Sequence, residues 1–189
     1  MRIIAGQAHG RKLRAPKGLA TRPTLARIRE SIFSRLAARI NLNDLEILDL
    51  FAGTGALGIE ALSRGASRAT FVDNSRRAVE VIQRNLDELG FAESSRVVCG
   101  DVMRALGKLA TDGESFDLVL MDPPYRSGIA NSVLNEVADR SLLRPDGIVV
   151  IELARGEPVP AINGLEKESV ATLGDHQIAL YRRRLAPLG

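Results

Sequence analysis

Met121-Asp122-Pro123-Pro124-Tyr125 is the segment of this 189-residue chain whose residue types ask most directly for a chemical reason. Two consecutive prolines fix φ and remove two N–H donors, so the local backbone offers carbonyls only. The Asp122 carboxylate and the Pro123 carbonyl then form a rigid pair of acceptors, with Pro124 holding the turn. A planar base amine is a poor nucleophile because its lone pair is delocalised into the ring. Two acceptors gripping its hydrogens turn that lone pair toward an incoming methyl group, and the negative charge favours a cationic transition state. Tyr125 supplies a face on which a flipped-out base stacks. A plain strand-terminating turn is the alternative, since Asp-Pro is common in loops. The position of the segment, after a glycine loop and two acids, favours chemistry.

That loop is Gly53-Thr-Gly55-Ala-Leu-Gly58, a literal G-x-G-x-x-G, with Asp73 eighteen residues after Gly55. Alone it reads as a dinucleotide fingerprint, in which the backbone approaches a pyrophosphate and the acid binds ribose hydroxyls. Asp49, just before the loop, is a poor neighbour for a diphosphate. A cofactor without phosphates, carrying a sulfonium and an ammonium, removes the conflict: S-adenosylmethionine, with Asp49 near its amino-acid end and Asp73 at its ribose. A helix-capping role is the alternative for Asp49. Asp101, after the third strand, either accepts from an adenine amino group or caps the next helix, and both can hold.

The elements that position these groups alternate in type. Apolar strands are expected at Ile47–Phe51, Ala69–Val72, Arg96–Cys99, Phe116–Met121 and Ile148–Leu153. Helices are expected between them, at Ala56–Arg64, after Ser75, at Val102–Leu109 and around Ile129–Val137. Strands apolar throughout, separated by helices, imply a parallel sheet covered on both faces. Pro145-Asp-Gly147 reads as a turn into the fifth strand. Leu165–Leu173 and Gln177–Arg182 read as an antiparallel hairpin on the sheet edge. Ahead of this body, Ile3-Ile4, Leu13 and Leu19, punctuated by Gly6, Gly10 and Gly18, suggest a short hairpin. Thr24 could cap a helix running to about Ile40, with Ile28, Ile32, Leu36 and Ile40 on one stripe.

Charge divides the chain at the same place. Residues 1–40 carry ten Lys or Arg against one acid, Glu30, a net +9 within a total of +3, so residues 41–189 sum to −6. A basic extension on an acidic body points to a polyanionic partner, against the plainer reading of a solvated basic face. The division made is 1–40, a basic RNA-binding extension, and 41–189, the catalytic domain. No run approaches the ~20 apolar residues that span a bilayer. The start lacks a signal-peptide pattern, and a single cysteine fits a reducing cytoplasm. Cys99, inside a strand, is expected in the core, which argues against cytosine-C5 chemistry. His9 is either a phosphate contact or a solvated loop residue, and His176 is expected to be structural. With two distant histidines, no metal site is expected. Nothing demands more than a monomer.

Asp49-Leu-Phe-Ala-Gly-Thr-Gly55 with Asp122-Pro-Pro-Tyr125 resembles the class I amino-methyltransferases. Arg2-Ile-Ile-Ala-Gly6, Gly10-Arg-Lys-Leu13, Arg22-Pro-Thr24, Arg27-Ile-Arg-Glu30 and Leu57–Gly65 resemble the RsmD family, small-subunit ribosomal RNA guanine-N2 methyltransferases. The resemblance covers nearly the whole chain. It implies a Rossmann-like α/β fold with a seven-stranded, mostly parallel sheet whose last strand is antiparallel, plus an N-terminal β-hairpin and helix. It implies that Asp49, Phe51, Gly53, Gly55, Asp73, Asn74, Asp101 and Val102 line the cofactor site and that Asp122 to Tyr125 hold the guanine. Arg11, Lys12, Arg14, Arg22, Thr24 and Arg27 would contact ribosomal RNA or the small-subunit particle. Ala26 departs from the family, which usually has Asp there. Adenine N6, cytosine N4 and a protein glutamine are alternative amine substrates, but only 66 residues separate Gly55 from Asp122, leaving little room for a DNA-recognition region. A non-catalytic RNA-binding module on this scaffold is the alternative from another class.

Overall fold

The computed structural model describes residues 1–15 and 23–183, with side chains throughout except at 23–25. Its elements are α1 (Pro23–Ala37), β1 (Glu46–Leu50), α2 (Ala56–Ser63), β2 (Arg68–Asp73), α3 (Arg76–Leu89), β3 (Ser95–Cys99), α4 (Val102–Thr111), β4 (Phe116–Met121), α5 (Ile129–Asp139), β5 (Leu143–Ala154), β6 (Leu165–Leu173) and β7 (His176–Arg183). The strands form one sheet in the order β3-β2-β1-β4-β5-β7-β6. The pairs among β1 to β5 are parallel, and β7 runs antiparallel to both β5 and β6. The chain reverses direction across the sheet between β1 and β4, the switch point at which ligands of such sheets bind.

Alternate residues of each central strand feed two separate cores. Ile47, Leu118, Leu120, Ile148 and Val150 pack with Ile28, Phe33, Ile59 and Ile82 on one face. Leu48, Leu50, Val119, Met121, Val149 and Ile151 pack with Leu106, Val133 and Leu134 on the other. Each fully buried Leu or Ile of this kind contributes about 1.5–3 kcal/mol. Both faces are covered, so no polar alternation marks β1, β4 or the inner part of β5.

The described part of the arm belongs to the first of these cores. Arg2 and Lys12 form an antiparallel bridge, and Ile3, Ala8 and Leu13 are buried in the cluster that includes Ile59 and Leu62. Glu60, wholly buried in α2, accepts from Ile4 N (2.9 Å) and Ala5 N (3.0 Å) and pairs with Arg29 (3.5 Å) and Arg64 (2.9 Å). Ser63 completes the dock: its carbonyl accepts from Gln7 N (2.8 Å), and its hydroxyl donates to the Ala5 carbonyl (2.6 Å).

Three expectations change. Pro23 opens α1, placing Thr24 inside the first turn rather than at the cap; proline is favoured there because its missing N–H would lack a helical partner anyway. The Pro145-Asp-Gly147 turn lies within β5 as an irregularity, Phe116 pairing with Leu143 but Leu118 with Ile148, and Asp146 at φ 59°. Cys99 is exposed, not core. It ends β3, an edge strand with one open side, so apolar sequence there does not imply enclosure.

Candidate active site

Every group expected to do chemistry sits at the carboxyl end of a parallel strand. β1 delivers Asp49, β2 ends on Asp73, β3 leads into Asp101 and β4 leads into Asp122; β5 adds an acid the motifs did not point to, Glu152, near its end. The glycine loop leaves β1 through Phe51, a bulky residue held at φ 59°. Such a conformation costs about 1–3 kcal/mol and persists where the surroundings fix it. Here Ala52 N donates to Val72 O (3.1 Å), Gly55 N to Ala52 O (2.7 Å) and Gly53 N to Asp73 Oδ2 (2.8 Å). Asp73 also accepts from Ser75 N through Oδ1 (2.8 Å), so one carboxylate pins the loop and the start of α3.

Asp49 is buried and accepts from Gly58 N in the first turn of α2 (2.8 Å). The helix-terminal role and the place beneath the loop therefore coincide. Burial pushes its carboxyl up to about 8, opposed by the Gly58 hydrogen bond and reinforced by the nearby Asp73 charge. Gly58 has no room for a side chain: a Cβ would lie 2.4 Å from the Phe71 ring and 3.1 Å from Asp49 Oδ2. Asp101 caps α4, accepting from Arg104 N (3.0 Å), and stays exposed. Val102 is buried, Phe51 half-buried and Asn74 exposed.

Asp122 follows β4 across the switch point from Asp49. Burial raises its carboxyl well above the usual carboxylate range, with the Glu152 and Asp49 charges adding to the shift. Among the described residues no hydrogen bond or ion pair engages that carboxyl, and no donor reaches the Pro123 carbonyl. The Pro124 carbonyl is taken by the Ser127 hydroxyl (2.6 Å). The turn thus presents two acceptors side by side, and Tyr125 beside them is 45% exposed. Burial disfavours the charged form of Asp49 and of Asp122, so the pair calls for a positively charged ligand and opposes a diphosphate. The donor set of Asp49, Asp73, Asp101 and the glycine loop fits a sulfonium cofactor.

The arm's expected contacts are dispersed. Arg14 N and O are held by Asn85 (2.8 and 3.2 Å), and its guanidinium bonds Glu88 (2.7 Å). Arg11 reaches the Glu88 carbonyl. Lys12 and Arg27 are exposed. Arg22 and the Thr24 side chain lie outside the described residues. Reading the sequence missed three groups. Buried Asn85 bonds the Thr54 carbonyl of the glycine loop (3.0 Å) as well as the arm. Glu152 and His176 contact Tyr125 through its hydroxyl (2.6 and 2.8 Å). An acid inside the apolar run of β5 was a signal for Glu152; His176 and Asn85 had none.

The strand order with β7 alone reversed, and a glycine loop with acids after β1 and β2, define a class I S-adenosylmethionine-dependent methyltransferase fold. An Agrobacterium tumefaciens SAM-dependent methyltransferase shares it at a TM-score of 0.63, with 17% identity, over 86% of this chain and 63% of that one. The chain belongs to the RsmD family: the family described as conserved hypothetical protein 95 matches residues 1–182. Ribosomal RNA small subunit methyltransferase D of Escherichia coli is 39% identical over 186 residues, covering 97% of this chain and 90% of that relative. A solved Escherichia coli chain provisionally named methyltransferase yhhF superposes with a TM-score of 0.84 at 35% identity, covering 98% and 99% of the two chains. No helix among the described residues is long and apolar enough to cross a membrane.

Proposed function

We propose that this chain transfers a methyl group from S-adenosylmethionine to the exocyclic N2 amine of a guanine in small-subunit ribosomal RNA. The observation that carries the reading is the pair of unengaged acceptors, Asp122 carboxyl and Pro123 carbonyl, set beside an exposed tyrosine face across the switch point from Asp49. The bound cofactor supplies an electrophilic methyl group on a sulfonium. Asp49 offers negative charge to the cofactor's cationic end, Asp73 accepts from ribose hydroxyls, and Asp101 accepts from the adenine amino group. Gly53 and Gly55 let the loop approach closely, while Phe51, Asn74 and Val102 line the site. Asp122 and Pro123 each accept one N–H of the target amine, which aims its lone pair. The raised Asp122 carboxyl then takes the proton that the methylated amine releases. Pro124 fixes the turn, and Tyr125 stacks on the base.

Ribosomal RNA as the polyanion is supported by the +9 of residues 1–40, with Arg11, Lys12, Arg14, Arg22, Thr24 and Arg27 as contacts to phosphate or ribose. Arg14's bond to Glu88 joins two exposed groups, so it can be exchanged for a phosphate. The guanine and the small subunit rest on membership of the RsmD family. Residues 1–40 act in this reading as the RNA-binding extension of the catalytic domain at 41–189, in a cytoplasmic enzyme that works as a monomer and without a metal. The test is labelled methyl transfer to small ribosomal subunits, to naked ribosomal RNA and to DNA, followed by nucleoside analysis. Label in N2-methylguanine, lost in Asp122→Ala, is expected. Label in N6-methyladenine would overturn the substrate, and full incorporation by Asp122→Ala would overturn the catalytic role.

A further inference from the structure

The Tyr125 side chain stands 45% exposed in the segment between β4 and α5, followed by Arg126 at φ 54°. Tyrosine's second side-chain torsion is broad, so a ring with one open side does not fix its own plane. Its hydroxyl is nevertheless held from two sides. It donates to Glu152 Oε1 (2.6 Å), and His176 Nδ1 lies 2.8 Å from both that hydroxyl and the same carboxylate oxygen. With its hydrogen on Nδ1 the imidazole donates to both oxygens at once. The three groups close a triangle, and the Tyr125 and His176 rings meet edge to face at 5.7 Å and 70°.

The two holders stand on rigid ground. Glu152 is 4% exposed within β5, and His176 opens β7, its backbone in register with Ala154. A buried acid in an apolar strand is costly unless its hydrogen bonds are used, and here the bonds it accepts come from Tyr125 and His176. Positioning an exposed stacking residue from neighbouring strands is how a site keeps its geometry without enclosing it. We propose that Glu152 and His176 are positioning residues that set the plane of Tyr125 for stacking on the target base. This rests on the reading of Tyr125 as the stacking face, and Tyr125→Ala tests that reading separately.

The experiment compares Tyr125→Phe, His176→Ala, the double variant and Tyr125→Ala in full-length protein. The assay is labelled methyl transfer to small ribosomal subunits from cells lacking this methylation, with cofactor affinity measured alongside. Tyr125→Phe and His176→Ala should each lower kcat/KM about tenfold while leaving cofactor affinity unchanged. The double variant should also lose about tenfold, because both substitutions remove the same hydroxyl contact. A double variant that loses about a hundredfold would show His176 acting apart from Tyr125 and overturn the proposal, as would an unchanged single variant. Unaltered activity in Tyr125→Ala would instead sink the stacking reading beneath it. Emission gives a second readout that needs neither cofactor nor RNA, since the chain has no tryptophan and only two tyrosines, Tyr125 and Tyr181. A phenol bonded to a carboxylate is quenched, so Glu152→Gln should brighten Tyr125 but leave the Tyr125→Phe background unchanged. Equal emission from wild type and Glu152→Gln also overturns the proposal.

Discussion

Asp49→Asn should uncouple cofactor binding from proton release. Burial lifts the Asp49 carboxyl to about 8, so in the ligand-free protein about 90% of it is protonated at pH 7. A sulfonium or ammonium bound beside it favours the charged form. Binding at pH 7 should therefore expel about 0.9 of a proton from this residue, and the cost of ionising it first is about 1.4 kcal/mol, or about tenfold in affinity. Affinity should rise up to about tenfold per pH unit below 8 and level off above it. Calorimetric titrations at pH 7 in two buffers of different ionisation enthalpy count the protons. The quantity that matters is the difference between wild type and Asp49→Asn, which cancels protons from the ligand and holds those of Asp49 together with any change it induces in its neighbour Asp122. Folding supplies an independent check of sign. A carboxyl raised above its ordinary value of about 3.9 makes the folded state bind more protons than the unfolded state between about pH 4 and 8. Its contribution is fully present below that window and lost as pH rises through it. Ligand-free Asp49→Asn should thus gain stability over wild type across pH 4–8, by at most about 1.4 kcal/mol per unit. Equal proton release by the two proteins would refute the placement of Asp49 at the cationic end of the cofactor.

Gly6→Ala should dislodge the arm, because a Cβ there would sit 1.7 Å from the Ser63 carbonyl oxygen at φ 82°; a loss of about 2–4 kcal/mol in urea unfolding is expected. Gly10→Ala, with φ 77° and nothing within 4 Å, is the control and should cost only about 1 kcal/mol, and equal losses would mean the dock is not tight. Asn85→Ala removes the partner of Arg14 N, Arg14 O and Thr54 O, which should lower stability by about 1–3 kcal/mol. It should also weaken cofactor affinity several-fold through the freed loop, and an unchanged dissociation constant would show that the loop holds its shape without it.

The sheet was legible because its central strands are buried on both faces and carry mostly apolar runs between helical stripes. Glycine-punctuated ends and Ser75, which caps α3 by accepting from Ala78 N (3.3 Å), placed the boundaries well. Legibility failed where burial depends on neighbours distant in sequence. Cys99 reads like any core strand residue, and only the strand order puts β3 on the edge. Pro145-Asp-Gly147 reads as a turn into the fifth strand, yet that strand already pairs ahead of it, at Leu143. Asp49, Asp73, Asp101 and Asp122 were singled out by local motifs at the strand ends, whereas Glu152, inside β5, was not. The Tyr125–His176 contact spans 51 positions and Arg14–Asn85 spans 71, and no spacing rule reaches that far.

The basic arm and the glycine loop share α2. The helix receives Asp49 at Gly58 in its first turn, and at Glu60 and Ser63, about half a turn and one and a half turns later, it receives the backbone of residues 4 to 8. Asn85 adds a second tie from α3 to both segments. Deleting residues 1–22 would therefore strip Ile3, Ala8 and Leu13 from the core that contains Ile59 and Leu62, and would unpair the buried Glu60 from the Ile4 and Ala5 amides. Fully burying Ile3 and Leu13 alone contributes about 3–6 kcal/mol, so such a deletion perturbs α2 and the glycine loop that leads into it as well as any RNA contact. Loss of both bindings on truncation would then say nothing about where RNA lies. Charge has to be removed while the apolar anchor stays, at exposed positions such as Lys12 and Arg27, where a change in the salt dependence of RNA binding reports phosphate contact alone.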